Sequence, residues 1–225
     1  MISVITITHQ PGAGGTQLAS LLARKFGWKL LARDTVDRIA RTADLDAATA
    51  AHFDADAARW SRVLRQAGIN PADSSPYVAP RWLDPIHEDS VHALGTQLIQ
   101  AAADTGECVI VGHGAQCLLQ GQAGVFHVLA YAPLEQRIQS MQARWPEHAD
   151  VEAQLAGLDS QQADYVRQYY GSDWLDPKLY DLCLSTSIGL DRAAAIINDA
   201  VVFPDRSWTP CKGEEVSSCH SPNQL

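Results

Sequence analysis

The chain is short of positive charge. Lys and Arg total 17 against 26 Asp and Glu, a net charge of −9. That deficit disfavours nucleic acid as a main partner, so none is expected, although a local basic pocket for a nucleotide stays compatible with it. Long apolar runs are missing too. No stretch approaches the roughly 20 residues of a membrane-spanning helix, so no membrane partner is expected. The first residues carry no basic n-region and no cleavage site, so no signal peptide is expected and the cytoplasm is the expected location. Cysteine is scarce: Cys108, Cys117, Cys183, Cys211 and Cys219, odd in number and never spaced C-x-x-C. Reduced thiols are expected, with Cys108 and Cys183 buried in apolar strand runs. Cys211, Cys219 and His220 could bind a metal in principle, but three loosely spaced ligands in a polar tail argue against it, and no metal site is expected there.

The most informative stretch is the start. Ile2 to Ile7 is an apolar, β-branched run, and it leads directly into His9-Gln10-Pro11-Gly12-Ala13-Gly14-Gly15-Thr16. Leu18, Leu21 and Leu22 then recur at helical spacing up to Phe26-Gly27. Strand, glycine-rich turn and helix in this order form a phosphate cradle in α/β proteins, because glycines let backbone N–H groups converge on an anion and the helix N-terminus adds its dipole. Against the pattern G-x-x-x-x-G-K-[ST], His9 stands at the first Gly, Gly14 at the second, Gly15 at the Lys and Thr16 at the Ser/Thr. The backbone cradle survives those changes. The lysine that reaches the β- and γ-phosphates is absent.

The rest alternates. A short strand is expected at 28–31, a helix from about 34 to 42, and Ala- and Asp-rich helix over 43–68. The turn residues of 69–81 read as a loop. A helix over 84–104 ends at Gly106, and Cys108-Val109-Ile110-Val111 reads as a buried parallel strand. Gly112-His113-Gly114-Ala115 and a helix near 115–120 follow, then a strand from Val125 to Tyr131. Pro133 opens a helix, with a second at 148–168, a last strand at 182–186 and a last helix from Leu190 to Val202. With 46% hydrophobic residues and 225 positions, one domain with an insertion is expected. Alternation of this kind predicts a parallel sheet covered on both faces, with its site beyond the strand C-termini. From Phe203 the composition turns polar, and 203–225 is expected to be a disordered tail.

Taken in order, Val4-Ile5-Thr6-Ile7 with Gly12 to Gly15, Cys108 to Ala115, Val125 to Val128 with Ala132 to Ile138, and Tyr169 to Trp174 with Tyr180 to Thr186 resemble the cytidylate kinase-like family. The resemblance covers about residues 1–202. It implies a three-layer α/β P-loop kinase-like fold, a parallel sheet with helices on both faces and a helical lid over 137–172. Residues 43–82 would be an acceptor-side helical insertion. The chain departs from the family pattern where His113, Thr16 and Gln162 replace basic residues. Neither Gln nor a neutral His reproduces the paired hydrogen bonds of an arginine fork on phosphate. Gly15 itself is typical of the family.

The expected function is a nucleotide-binding phosphotransferase, moving a phosphoryl group from ATP with Mg²⁺ to a nucleoside monophosphate such as CMP or dCMP. Gly12, Ala13, Gly14, Gly15, Thr16 and Gln17 would bind the small-molecule nucleotide through the cradle. Thr16 is read either as the Mg²⁺ ligand or as a helix-start residue making a local hydrogen bond. Arg137 would be catalytic, supplying lid charge, or else a surface arginine. Arg33, Asp34 and His113 would face the acceptor, with a helix cap as the other reading of Asp34. Two alternatives stay open: a degenerate nucleotide-binding sensor or partner-binding module, and a kinase of a non-nucleotide small molecule.

Overall fold

The apolar run at the N-terminus becomes the middle of a sheet. In this computed structural model, which describes residues 1–32, 35, 87–144, 146 and 150–203, the strand β1 (Val4–His9) is flanked on both sides. The other strands are β2 (Lys29–Leu31), β3 (Cys108–Val111), β4 (Val125–Tyr131) and β5 (Leu182–Ser185). Their order across the sheet is β2-β3-β1-β4-β5, and every pairing is parallel. Val4 to Thr8 are all buried, which is why the strand reads as continuous β-branched and apolar sequence rather than as an alternation.

Six helices are described: α1 (Gly15–Phe26), α2 (His87–Thr105), α3 (Ala115–Leu118), α4 (Leu134–Arg144), α5 (Val151–Tyr170) and α6 (Leu190–Val202). They make two outer layers. Ile5, Ile7, Val109, Val111, Val128 and Ala130 turn to one face and pack on Leu18 and Leu22 of α1 and Ala193 and Ile197 of α6. Val4, Cys108 and Ile110 turn to the other, against Leu94, Leu98 and Ile99 of α2 and Ala115 of α3. Farther along that second face, Leu129 packs on Val166 of α5 and on Trp174. Two neighbouring residues on one strand thus serve two separate cores, as the period-2 geometry of a strand requires. Helix ends follow from local chemistry. Asp150 accepts the Ala153 N–H at 3.0 Å to cap α5, and Gly27 and Gly171 close α1 and α5 in the left-handed conformation.

The expected elements appear within a few residues of their anticipated bounds. The segment expected as a lid, 137–172, is mostly α4 and α5, packed on each other. The helix expected from 34 to 42, apart from Thr35, the insertion at 43–82 and the tail beyond Phe203 lie outside the described residues. One expectation is corrected: Cys183 is exposed, because β5 is the edge strand of the sheet. Cys108 is buried as expected, and burial pushes its thiol up to about 12, which keeps it an inert protonated thiol.

His127 on β4 is buried, with Nδ1 2.7 Å from Thr6 Oγ1. Its backbone N–H donates to Asp181 Oδ2 at 2.7 Å, and its carbonyl accepts the Asp181 N–H at 2.9 Å. Burial lowers the imidazole's pKa from its ordinary value, and the Asp181 charge opposes this only in part. A histidine depressed in the folded state is protonated more readily when unfolded. Its contribution is therefore whole above the ordinary value of about 6.5 and is lost as pH falls below it. Thermal unfolding followed from about pH 7.5 to about pH 5 should show falling stability, by at most about 1.4 kcal/mol per pH unit from this group. His127→Gln should flatten that fall. An equally steep fall in the variant would assign the acid sensitivity to other groups.

Candidate functional site

The loop from Gln10 to Gly14 joins β1 to α1 at the C-terminal edge of the sheet's central strand. It closes on itself through the Ala13 N–H, which donates to the Gln10 carbonyl at 3.0 Å. Gly12 has φ +82° and Gly14 has φ +75°, so two left-handed residues turn the chain into the helix. Gly14 is the N-cap of α1, yet no side chain caps that end, and the first turn contains no acidic residue. Among the described residues no side chain caps the first N–H groups of α1. A helix N-terminus in that state attracts an anion through those donors and the helix dipole.

Neighbours press on this loop from two directions. A Cβ at Gly12 would lie 2.7 Å from the Arg137 carbonyl oxygen, where α4 crosses it. A Cβ at Gly15 would lie 2.2 Å from Cγ of His9. Of the residues expected to bind phosphate, Ala13 and Gly15 are buried, Gly12 and Gly14 half-buried, and Thr16 and Gln17 exposed at the first turn.

Arg137 sits against the same loop, but not as a lid arginine reaching outward. Its side chain is 6% exposed. Nε donates to the Pro11 carbonyl at 2.7 Å and an Nη donates to Asp159 Oδ2 at 2.7 Å. One guanidinium thus ties the loop, α4 and α5 together. Its fork geometry permits this, because two N–H directions are fixed in one plane. The other oxygen of Asp159, Oδ1, is buried without a partner among the described residues.

The turn after β3 lies beside the loop, since the Gly112 N–H donates to the Ile7 carbonyl on β1 at 3.1 Å. His113 adopts φ +55°, a rare conformation for a residue with a side chain. Tyr170, at the end of α5, donates its hydroxyl to the His113 carbonyl at 3.0 Å. Its ring lies so close to Gly114 that a Cβ there would come within 2.1 Å of it. Burial pushes the Tyr170 phenol's pKa up, which keeps it protonated as the donor. Tyr165 and Tyr169 continue the contact: His92 of α2 stacks on Tyr169 with centroids 3.9 Å apart, and its Nδ1 lies 2.9 Å from the Tyr165 hydroxyl. Beneath the turn, Gln116 is 1% exposed and its Oε1 accepts from Thr8 Oγ1 at 2.9 Å, while Nε2 has no partner among the described residues.

The structure therefore brings Gly12 to Gln17, Arg137 and His113 to one edge of the sheet. Arg33 and Asp34 lie outside the described residues. Sequence reading passed over Asp159, Gln116, Tyr170 and the packing of His9. For Asp159 no local signal exists, because its partner is 22 residues away. For His9 a signal did exist: a large residue at the first Gly of the motif is paired with a Gly at the Lys position. Trp174 is buried beside Leu129 and Val166, and the Tyr180 hydroxyl donates to its carbonyl, so this aromatic pair packs the end of α5.

The model of the cytidylate kinase-like family matches residues 4–188. No curated protein sequence matches the chain. Among solved structures, an uncharacterized protein from Eubacterium ventriosum ATCC 27560 is similar over 90% of this chain and 99% of its own, at 17% identity and a TM-score of 0.64. A shikimate kinase from Acinetobacter baumannii, solved in complex with shikimate, is similar over 92% and 96%, at 15% identity and a TM-score of 0.50. At those identities the likeness establishes a shared P-loop kinase fold.

The Arg137 tie carries a stability expectation. Arg137→Ala leaves the Asp159 carboxylate and the Pro11 carbonyl without their donor, and it should cost about 2–4 kcal/mol, allowing for partial exposure of Asp159. Urea unfolding measures this. A loss under about 0.5 kcal/mol, the size of an ordinary surface substitution, would show that the tie does not hold the loop.

Proposed function

The chain belongs to the cytidylate kinase-like family, and from that premise we propose that it is a nucleotide-dependent phosphotransferase, moving the γ-phosphoryl group of ATP to a nucleoside monophosphate such as CMP or dCMP. The observation that carries this reading is the loop itself. Two left-handed glycines lead into an uncapped helix N-terminus at the end of the central strand of a P-loop kinase fold. Phosphoryl transfer asks a protein mainly for positioning and charge neutralisation, and a backbone cradle supplies the first.

Each residue has a part in this reading. The backbone N–H groups of Gly12 and of Gly14 to Thr16 bind and orient the donor phosphates, that of Ala13 being engaged by the Gln10 carbonyl. Arg137 fixes the outer side of the loop through the Pro11 carbonyl. Thr16, exposed at the first turn of α1, would hold Mg²⁺ through its hydroxyl in this reading. That ion, when bound, supplies charge neutralisation at the phosphoryl oxygens. His113, Arg33 and Asp34 are assigned to the acceptor side, with His113 held at its turn by Tyr170. A second reading, binding without transfer, has a specific support. Arg137 is engaged with Asp159, and Gly15, His113 and Gln162 stand where basic residues would serve transfer.

The test is ADP release from ATP and Mg²⁺ against a panel of nucleoside monophosphates. Shikimate is included because a shikimate kinase shares the fold. Release that depends on one monophosphate is the expected result, and binding without release would give the second reading its place. Thr16→Ala should lower turnover about ten- to a hundred-fold through weaker hold on the ion. Its melting temperature should stay put, since that side chain is exposed. Turnover unchanged in this variant would remove Thr16 from the site.

A further inference from the structure

A glycine at the lysine position leaves the phosphate loop without its usual cation, and the structure shows what stands in that space. His9 is the last residue of β1, and its ring lies directly on Gly15. A Cβ built on Gly15 would fall 2.2 Å from Cγ, 2.3 Å from Cβ and 2.4 Å from Cδ2 of His9. Any side chain leaving position 15 would have to begin where the imidazole already is. Position 9 is where the motif has its first glycine, which would leave this space open. The two positions have exchanged bulk: a glycine and a lysine are replaced by a histidine and a glycine.

We infer that His9 takes over the lysine's part, its protonated imidazole serving as the loop's own cation for a bound polyphosphate. This rests on the nucleotide-binding reading above. The Nδ1 of His9 lies 3.1 Å from the Gln10 carbonyl, which can only accept, so Nδ1 carries a proton in either state and Nε2 is the nitrogen that gains the second. Histidine titrates near neutrality, and a phosphate at the helix start favours its charged form, so binding draws a proton from solvent. Among the described residues, the Arg137 guanidinium on α4 hydrogen-bonds the loop at the Pro11 carbonyl and is paired with Asp159 of α5. The first turn of α1 has no acidic residue, and the β4 residue opposite His9 is Ala130. Among the described residues His113, in the turn after β3, is the other histidine at this edge.

The experiment is calorimetric titration of the full chain with ATP and Mg²⁺ across the pH range where histidine titrates, for wild type and His9→Gln. The nucleotide titrates as well, so the quantity read is the affinity ratio of the two proteins at each pH. Wild type should bind about ten-fold tighter than the variant on the acid side, with the ratio falling toward one on the alkaline side. Repeating the titration in buffers of different ionisation heat should show proton uptake by wild type and less by the variant. A ratio that does not change with pH, with both proteins folded, overturns the inference while leaving the functional reading intact. Failure of wild type to bind at any pH would instead end the functional reading, and this one with it.

A second pair of variants tests the exchange of bulk. Gly15→Lys alone should melt lower than wild type, because its side chain meets the ring. Adding His9→Gly should recover the melting temperature and give binding whose pH dependence no longer includes a histidine. A double variant that binds no better than His9→Gly alone would overturn the inference.

Discussion

Close packing against a backbone that can carry no Cβ is the constraint on which this site depends. Gly12 lies under the carbonyl of Arg137 and Gly15 under the ring of His9. The loop is therefore placed by what presses on it. The crossing of α4 fixes one end, and the last residue of β1 fixes the other. Arg137 adds a hydrogen bond to the Pro11 carbonyl and so holds an outward-facing oxygen in place. Inside the loop the Ala13 N–H is spent on the Gln10 carbonyl, so the turn is held by its own hydrogen bond as well as by its neighbours.

A sheet buried on both faces has a second requirement, which concerns polar groups. Thr6, Thr8, Gln116 and His127 all lie in the interior, and each polar atom left unpaired there costs about 1–3 kcal/mol. They pair across elements: Thr6 with His127, and Thr8 with Gln116. The pairs align β1 with β4 and with the turn after β3, the elements that flank the loop. The aromatic contacts of His92 with Tyr165 and Tyr169, and the hydroxyl of Tyr170 on the His113 carbonyl, do the same for α5. Helix α5 is thus docked on α2 and the turn after β3 through rings, and on the glycine-rich loop through Asp159 and Arg137. Its position is coupled to both halves of the site by direct contacts.

Local patterns in the chain determined most of the architecture. Buried parallel strands are apolar over their whole length, so β1, β3 and β4 are legible as runs, and the helices between them as periodic segments with glycine or aspartate at their ends. The glycine pattern marked the loop because positive φ is a property of single residues. The exposure of Cys183 escaped this reading because the edge of a sheet is a fact about strand order. Strand order depends on which elements meet, and no window of sequence contains that.

The sequence by itself determined the class of fold, the phosphate loop and the family. Each of these is written in residues close together in the chain or in their order along it. Only the tertiary structure decided what the side chains at the site do. Arg137 looked like a lid arginine and is a buried tie to Pro11 and Asp159, because α4 and α5, which carry these two residues 22 positions apart, pack on each other. His9 looked like a defect in the motif, and its ring occupies the space of the missing lysine, because the strand end and the helix start meet there. The physical reason is the same in both cases. A side chain's partners are set by distance in space, and packing of the sheet layers brings together groups that the chain keeps apart.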